Sequence, residues 1–421
     1  MTETVTIFPG ITLRCFPDHR FKHGCLSIQL VRPMCREEAA MNALLPAVLL
    51  RGSSTCPDLR DITLRLDDLY GASVGTVVRR VGDYQTTGLY ASFIEDRFAM
   101  EGDRILEPMA AFLKELLLQP LTEKGVFCAD YVESEKKNLI ATIESQLNDK
   151  RAYAMERLIE NMCREDSFGI PRLGDKRSVA AITPDGLYAH YKKILSESRV
   201  DMFYVGSAPA QEVAGLVKDI FAGLERNYVN LTPQTPLHPA AEYRGEEQMD
   251  VNQGKLCMGF VTPVTIRDEG FVANQLMNAV FGGGMTSKLF SHIRETLSLC
   301  YAIGSGYHGS KGLLTVSAGI DSGMAKTVEA EVLAQLEACR RGEISEEELT
   351  AAKQSLRSSL LATHDSPGSI ESYYANGALS GLQLDPQAYM ERVEATTLEQ
   401  VQKAAQKLQL HSVFFLKGVQ A

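Results

Sequence analysis

The stretch at residues 224–250, LERNYVNLTPQTPLHPAAEYRGEEQMD, decides how the chain is organised. Pro233, Pro236 and Pro239 interrupt any helix there, and the segment RGEE at 244–247 is polar. We therefore interpret the stretch as a linker. It divides the 421 residues almost evenly, so that each half has the size of one domain or slightly more.

The composition is that of a globular protein. Apolar residues make up 45% of the chain and charged residues 23%, close to the averages of soluble domains. The net charge of −10 argues against a nucleic-acid partner, which needs a basic surface. We find no run of about 18 apolar residues and no secretory signal at the start of the sequence. The nine cysteines are scattered, without a C-x-x-C pair, so we expect free thiols, a cytoplasmic location and no membrane span.

The two halves repeat one order of elements: two strands, an amphipathic helix, a break and a second helix. In the first half this order predicts strands at 77–80 and 86–94 and helices through 105–116 and 131–140. In the second half it predicts strands at 300–305 and 313–320, a helix with Val328, Val332, Leu336 and Cys339 on one face, and a helix at 349–361. Ser345 and Glu348 form a capping box before the last of these helices.

The repeat predicts an α+β protein of two homologous domains, each an antiparallel or mixed sheet with helices packed on one face. We place the domains at residues 1–225 and 246–421, joined by a linker at 226–245.

Two short patterns suggest binding sites but lack the required context. The sequence GSGYHG at 304–309 fits the dinucleotide fingerprint, yet a predicted strand follows it instead of a helix, so we interpret it as a glycine-rich hairpin turn. His19 and His23 are four residues apart in what we interpret as a hairpin connection. No third ligand is evident near them, so surface histidines are the favoured interpretation.

One segment of the second half carries a resemblance to a known family. Residues 281–295 read FGGGMTSKLFSHIRE, and residues 299–302 read LCYA. This order resembles the insulinase/pitrilysin (M16) zinc peptidases in their two-domain, processing-peptidase-like form, and the resemblance extends over nearly the whole chain. It implies the M16, LuxS-metallohydrolase-like fold in each domain.

The resemblance also implies a substrate-binding site. In the family an arginine and a tyrosine at these places hold the substrate backbone, which implies that role for Arg294 and Tyr301. Both side chains donate hydrogen bonds that suit peptide carbonyls. The loop formed by Gly282, Gly283 and Gly284 would approach a bound peptide closely, because it has no side chains. The structural alternatives are an ordinary arginine at a helix end, an ordinary strand tyrosine and, for the glycines, the turn at a helix N-terminus.

The first half departs from the family pattern. Active members carry His-x-x-Glu-His on a helix, in which both histidines bind zinc and the glutamate is the general base. Counting back from the Arg51-Gly52 turn, Ala43 and Ala47 occupy the ligand positions and Pro46 the base position. Thr142 occupies the position of the third ligand, a glutamate in the family. The sequence has no histidine between His23 and His190, so we expect no metal site in this chain.

The loss of the catalytic residues beside an intact binding motif suggests a division of labour between two chains. We expect a non-catalytic subunit that orients peptides in a heterodimer with an active M16 zinc peptidase, which would hold the zinc. Within the family the chain most resembles inactive bacterial members encoded beside an active one, some of which are associated with elongation factor P modification and others with bacteriocin or cofactor-peptide maturation. The alternatives are a non-enzymatic peptide-binding or scaffold protein, as a homodimer or in a larger assembly, and a thiol enzyme based on Cys300.

Overall fold

The computed structural model describes residues 2–418 and divides the chain into two compact units. The strands are β1 Glu3–Phe8, β2 Ile11–Pro17, β3 His23–Pro33, β4 Ser73–Val81, β5 Tyr84–Ile94, β6 Thr122–Glu123, β7 Val126–Phe127, β8 Arg199–Gly206, β9 Tyr243–Met249, β10 Gly254–Val261, β11 Ala302–His308, β12 Leu313–Ile320 and β13 Gln409–Gly418.

Most of the remaining chain is helical. The α-helices are α1 Arg36–Leu49, α2 Leu59–Asp67, α3 Leu106–Leu118, α4 Ala129–Ser145, α5 Lys150–Met162, α6 Lys176–Ala180, α7 Pro184–Glu197, α8 Ala210–Phe221, α9 Phe271–Phe281, α10 Ala325–Arg341, α11 Glu346–Ala362, α12 Pro367–Ser380, α13 Pro386–Ala395 and α14 Leu398–Lys407. Within residues 2–418, none of the helices combines the length and the apolar character that crossing a membrane requires.

The two sheets share one topology. The first has the order β1-β2-β8-β3-β5-β4 and the second the order β9-β13-β10-β12-β11. If β1 is set aside, the five strands of each sheet correspond one to one in chain order. In both sheets the pair β2–β8 or β9–β13 is parallel and the neighbouring pairs are antiparallel. The predicted α+β class with two homologous domains is confirmed.

The local predictions of the repeat also hold. β4 and β5 form the predicted antiparallel pair, and α3 covers most of the predicted helix at 105–116. On α10 the four predicted apolar positions are buried. α11 begins after a capping box in which Ser345 accepts from the Glu348 N–H and Glu348 accepts from the Ser345 N–H.

Three local predictions are corrected. The segment with His19 and His23 is not a hairpin connection, because β8 lies between β2 and β3 in the sheet. β11 runs to His308, so the GSGYHG sequence is mostly strand and the turn comes after it, although a strand and not a helix does follow. The predicted linker ends early, because its last residues begin β9, an edge strand with alternating exposure that pairs with β13.

The division into units differs from two linear halves. Within the described residues, the first unit comprises 2–144, 172–233 and 364–376, and the second unit comprises 145–171, 234–363 and 377–418. The second unit therefore contains α5, which precedes the linker in sequence. Apolar residues of α5 pack on one face of the second sheet: Ala154 and Leu158 contact Cys257, Phe414 and Leu416.

Each sheet has a layer of packed helices on one face, and in the first unit a helix also contacts part of the opposite face. In the first unit a large apolar core joins the sheet to α1, α3, α7 and α8. On the opposite face Glu371, at the start of α12, bonds the side chains of Ser27 and Gln29 on β3. β3 is consequently buried over nine consecutive residues, and all eight residues of β12 are buried in the second unit.

Candidate functional site

The positions that the resemblance implies for the zinc motif lie on a largely buried helix. α1 contains Ala43, which is buried, Pro46, also buried, and Ala47, which is half-buried. Methyl groups and a proline ring offer no lone pairs to a metal. The neighbouring polar residue, Asn42, is already engaged, since it donates to Gln85 and its Oδ1 lies 2.7 Å from His190 Nε2.

The third position is likewise unsuitable for a metal. Thr142 is exposed on α4, and its hydroxyl donates to the Asn138 carbonyl at 2.9 Å. Glu135 of the same helix pairs with Arg51 at 3.3 Å. Among residues 2–418, no three His, Cys, Asp or Glu side chains are grouped so as to hold a metal ion. The donor set at these positions therefore does not fit the family's zinc.

Arg294 lies on a π-helix, Leu289–Thr296, in the second unit. The backbone bond from the Leu297 N–H to the His292 carbonyl, 2.9 Å, spans the five residues typical of this geometry. Ser298 follows with φ of 52°, a left-handed value that is uncommon for a non-glycine residue. π-helices are rare and occur often at functional sites. The sequence predicts a helix here but gives no sign of its type.

Arg294 and Tyr301 line one concavity of about 330 Å³. The other lining residues are Glu295, Ser298, Leu299, Cys300 and Asp321. The Arg294 guanidinium lies 3.3 Å from Glu295 and stacks over the Phe290 ring at 4.6 Å. Its side chain is 40% exposed, so it remains accessible to a ligand.

Tyr301 is exposed to solvent and lies immediately before β11. It is 56% exposed, and its hydroxyl donates to Asp321 Oδ1 at 3.2 Å. That hydrogen bond raises the pKa of Tyr301, so the phenol stays protonated and able to donate. Asp321 thus orients the Tyr301 hydroxyl. A peptide carbonyl would compete with Asp321 for the hydrogen bond that this hydroxyl donates.

The glycine loop lines a separate, larger cavity of about 730 Å³ in the same unit. Gly282 is buried, and a Cβ there would lie 2.7 Å from both Leu289 Cδ1 and Ser305 Oγ. A Cβ on Gly283 would lie 2.8 Å from the backbone of α9, whereas Gly284 faces open space. The five predicted residues therefore fall into two concavities. Phe290 lines the larger one, and its ring stacks against Arg294, which lines the smaller one.

Sequence reasoning missed residues that line this larger cavity. α5 contributes Arg151, Ala152 and Met155, and β12 contributes Thr315 and Ser317. The residues of α5 precede the linker in sequence, so a division into two halves assigns them to the wrong unit. Their only local signal is Asp149, an N-cap whose carboxylate accepts from two backbone N–H groups.

Cys300 is poorly suited to act as a nucleophile. It is 8% exposed, and burial raises the pKa of its thiol, which lowers the fraction of reactive thiolate.

The comparisons with known proteins agree with the fold. Residues 181–356 match the family described as "Peptidase M16 inactive domain". The chain is 28% identical over 411 residues to the "Probable inactive metalloprotease YmfF" of Bacillus subtilis, covering 98% of this chain and 96% of that protein. A conserved protein from Enterococcus faecalis has a solved structure that matches with a TM-score of 0.91 at 28% identity, covering 99% of both chains.

A second solved structure supports the same fold. It is described as a peptidase M16 inactive domain from Pseudomonas fluorescens, and it matches with a TM-score of 0.82 at 19% identity, covering 100% of this chain and 99% of that one. The chain is therefore similar over nearly its whole length to a probable inactive M16-type metalloprotease, and its residues 181–356 match the M16 inactive-domain family.

Proposed function

We propose that this chain is the non-catalytic, peptide-orienting subunit of a two-chain M16 zinc peptidase. Zinc and the general base would belong to an active partner chain, and the pair would work in the cytoplasm. The proposal rests on one contrast: the α1 positions hold no metal donor, whereas Arg294 and Tyr301 face one accessible concavity. The nine free cysteines fit a reducing compartment.

The chemistry of the concavity suits the backbone of a peptide. A guanidinium offers several fixed N–H donors and a phenol offers one, and peptide carbonyls accept both. Stacking on Phe290 limits the motion of the Arg294 guanidinium before a substrate arrives. Loss of such orientation can slow a reaction by about 100-fold.

The test is a cleavage assay with fluorescein-labelled casein and zinc analysis. The samples are this chain, an active M16 chain from the same genome with an intact His-x-x-Glu-His motif, and their mixture. We expect zinc in the partner alone and strong enhancement of cleavage in the mixture. Arg294→Met should reduce the enhanced rate by about 100-fold. Arg357→Met, an exposed arginine 3.7 Å from Glu394, is the matched control and should leave the rate unchanged.

Two results would refute the proposal. One is an Arg294→Met mixture that cleaves as fast as the unmodified mixture. The other is a mixture that cleaves no faster than the partner alone while this chain still binds peptides, which would favour a peptide-binding scaffold.

A further inference from the structure

We propose that the 730 Å³ cavity of the second unit binds a carboxylate of the peptide through Arg151. This inference rests on the proposed peptide-orienting function and adds a chemical class of ligand to it. The carboxylate is either the C-terminus of a peptide or an Asp or Glu side chain, and the test below separates the two.

The first observation is that the Arg151 guanidinium is hydrogen-bonded through its Nε only. Its Nε donates to Ser317 Oγ at 2.9 Å, and Ser317 is 6% exposed on β12. Within residues 2–418 this is the one hydrogen bond or ion pair of the Arg151 side chain. The two terminal nitrogens therefore keep their N–H groups available at the cavity wall.

The second observation is that the charge of Arg151 is not neutralised by a carboxylate of the described chain. Asp149 also lines the cavity, but one of its oxygens accepts from the Arg151 and Ala152 backbone N–H groups at 3.0 Å each, capping α5. His308, another lining residue, has its Nε2 3.2 Å from Thr315 Oγ1. Arg151 is thus the fixed cation of this cavity.

The geometry of the donors favours a carboxylate. A guanidinium whose Nε is already hydrogen-bonded still has N–H groups on its two terminal nitrogens. These can donate two parallel hydrogen bonds to the two oxygens of a carboxylate. Glycines at 282–284, 304 and 306 line the same cavity, so that a peptide backbone can approach without meeting side chains. Phe290 joins this cavity to Arg294, so one peptide could engage both arginines.

The test measures binding of three pools of fluorescein-labelled decapeptides to the full chain by fluorescence anisotropy. The first pool lacks Asp and Glu and has a free C-terminus, the second is the same pool amidated, and the third is amidated with one internal Asp. We expect the amidated pool without Asp to bind about 10-fold more weakly than at least one of the others. Arg151→Met should abolish that difference.

Two further variants guard against a trivial effect on folding. Arg164→Met removes an exposed arginine of the same chain segment, whose Nε lies 3.8 Å from Glu165, and should keep the preference. Ser317→Ala releases the guanidinium from its tether and should weaken the preference while leaving the charge in place.

The outcomes separate the sources and the proposals. Preference for the free C-terminus supports a terminal carboxylate, and preference for the Asp pool supports a side-chain carboxylate. Equal binding of all three pools, or an equal loss for all three in Arg151→Met, overturns the inference. Equal binding together with cleavage enhancement in the partner assay overturns this inference alone, whereas a carboxylate preference without enhancement overturns the proposed function alone.

Discussion

His190 should make the first unit sensitive to mild acid. The side chain lies on α7, is 5% exposed, and has its Nε2 2.7 Å from Asn42 Oδ1, one residue before the degenerate zinc motif. Burial lowers the pKa of His190 from 6.5 to about 4, because a charged imidazolium is disfavoured there. The unfolded chain therefore binds a proton at a pH where the folded chain does not.

The size of the effect follows from these two pKa values. The contribution of neutral His190 to the free energy of unfolding is complete above pH 6.5 and is lost as the pH falls toward 4. The difference of about 2.5 pKa units corresponds to about 3 kcal/mol in total, at 1.36 kcal/mol per unit. Between pH 7 and pH 5 the same values predict a loss of about 2 kcal/mol in the free energy of unfolding. Glu38 adds a separate loss at lower pH: burial would raise its pKa, but hydrogen bonds from Arg32 and Lys193 outweigh burial and lower it to about 2.

The perturbation is His190→Gln, whose amide can still donate to Asn42 but does not titrate. Urea unfolding by far-UV circular dichroism at pH 7 and pH 5 gives the overall change, since the chain has no Trp to report by fluorescence. Hydrogen exchange of α7 peptides assigns the change to the first unit. His19→Gln, at an exposed histidine, is the matched control.

We expect the acid step in the unmodified chain and in the control, and its disappearance in His190→Gln. A His190→Gln chain that still loses about 2 kcal/mol between pH 7 and pH 5 would refute the assignment to this residue. So would an unmodified chain whose α7 exchange is the same at both pH values.

Three further predictions concern stability and can be checked by urea unfolding. Gly88→Ala should prevent stable folding, since a Cβ there would lie 1.9 Å from a backbone oxygen of the neighbouring strand, whereas Gly75→Ala meets nothing within 4 Å and should be tolerated. Ser345→Ala should lose about 1 kcal/mol by removing the helix cap, while Ser358→Ala on the exposed face of the same helix should not destabilise the chain. Glu371→Gln should lose about 2 kcal/mol, because this fully buried carboxylate accepts hydrogen bonds from three side chains, and an unchanged unfolding midpoint would contradict that role.

Signals that are local in the sequence predicted structure well. The capping box at Ser345 and Glu348 fixes the start of α11 through bonds within one turn, so a short stretch suffices to identify it. The β4–β5 pair is likewise defined by alternation on both sides of a short turn. The assignment of Ala43 and Ala47 to the family's ligand positions depends on a local pattern as well, and it stays a prediction, although both residues do lie on one helix.

Pairing between distant segments was predicted less well. β2 and β3 are consecutive and separated by a short connection, which suggests a hairpin, yet β8 lies between them after a gap of more than 160 residues. Alternation shows that a segment is a strand but does not show its neighbour. The start of β9 was assigned to the linker because its residues are mostly polar. They belong to an edge strand, whose residues alternate in exposure and do not form the apolar run of a core strand.

The placement of α5 is the clearest case of information that a sequence pattern lacks. β12 is buried on both faces, and its uninterrupted run of apolar and small residues implies a second layer of helix over that sheet. The pattern does not say which helix supplies the layer, because an amphipathic helix reveals its apolar face and not its partner. The helix that does so comes from before the linker, and it brings Arg151 beside Ser317. A domain boundary drawn at the linker therefore separates Arg151 from the glycines that line the larger cavity with it, and with Arg151 goes the observation on which the proposed carboxylate site rests.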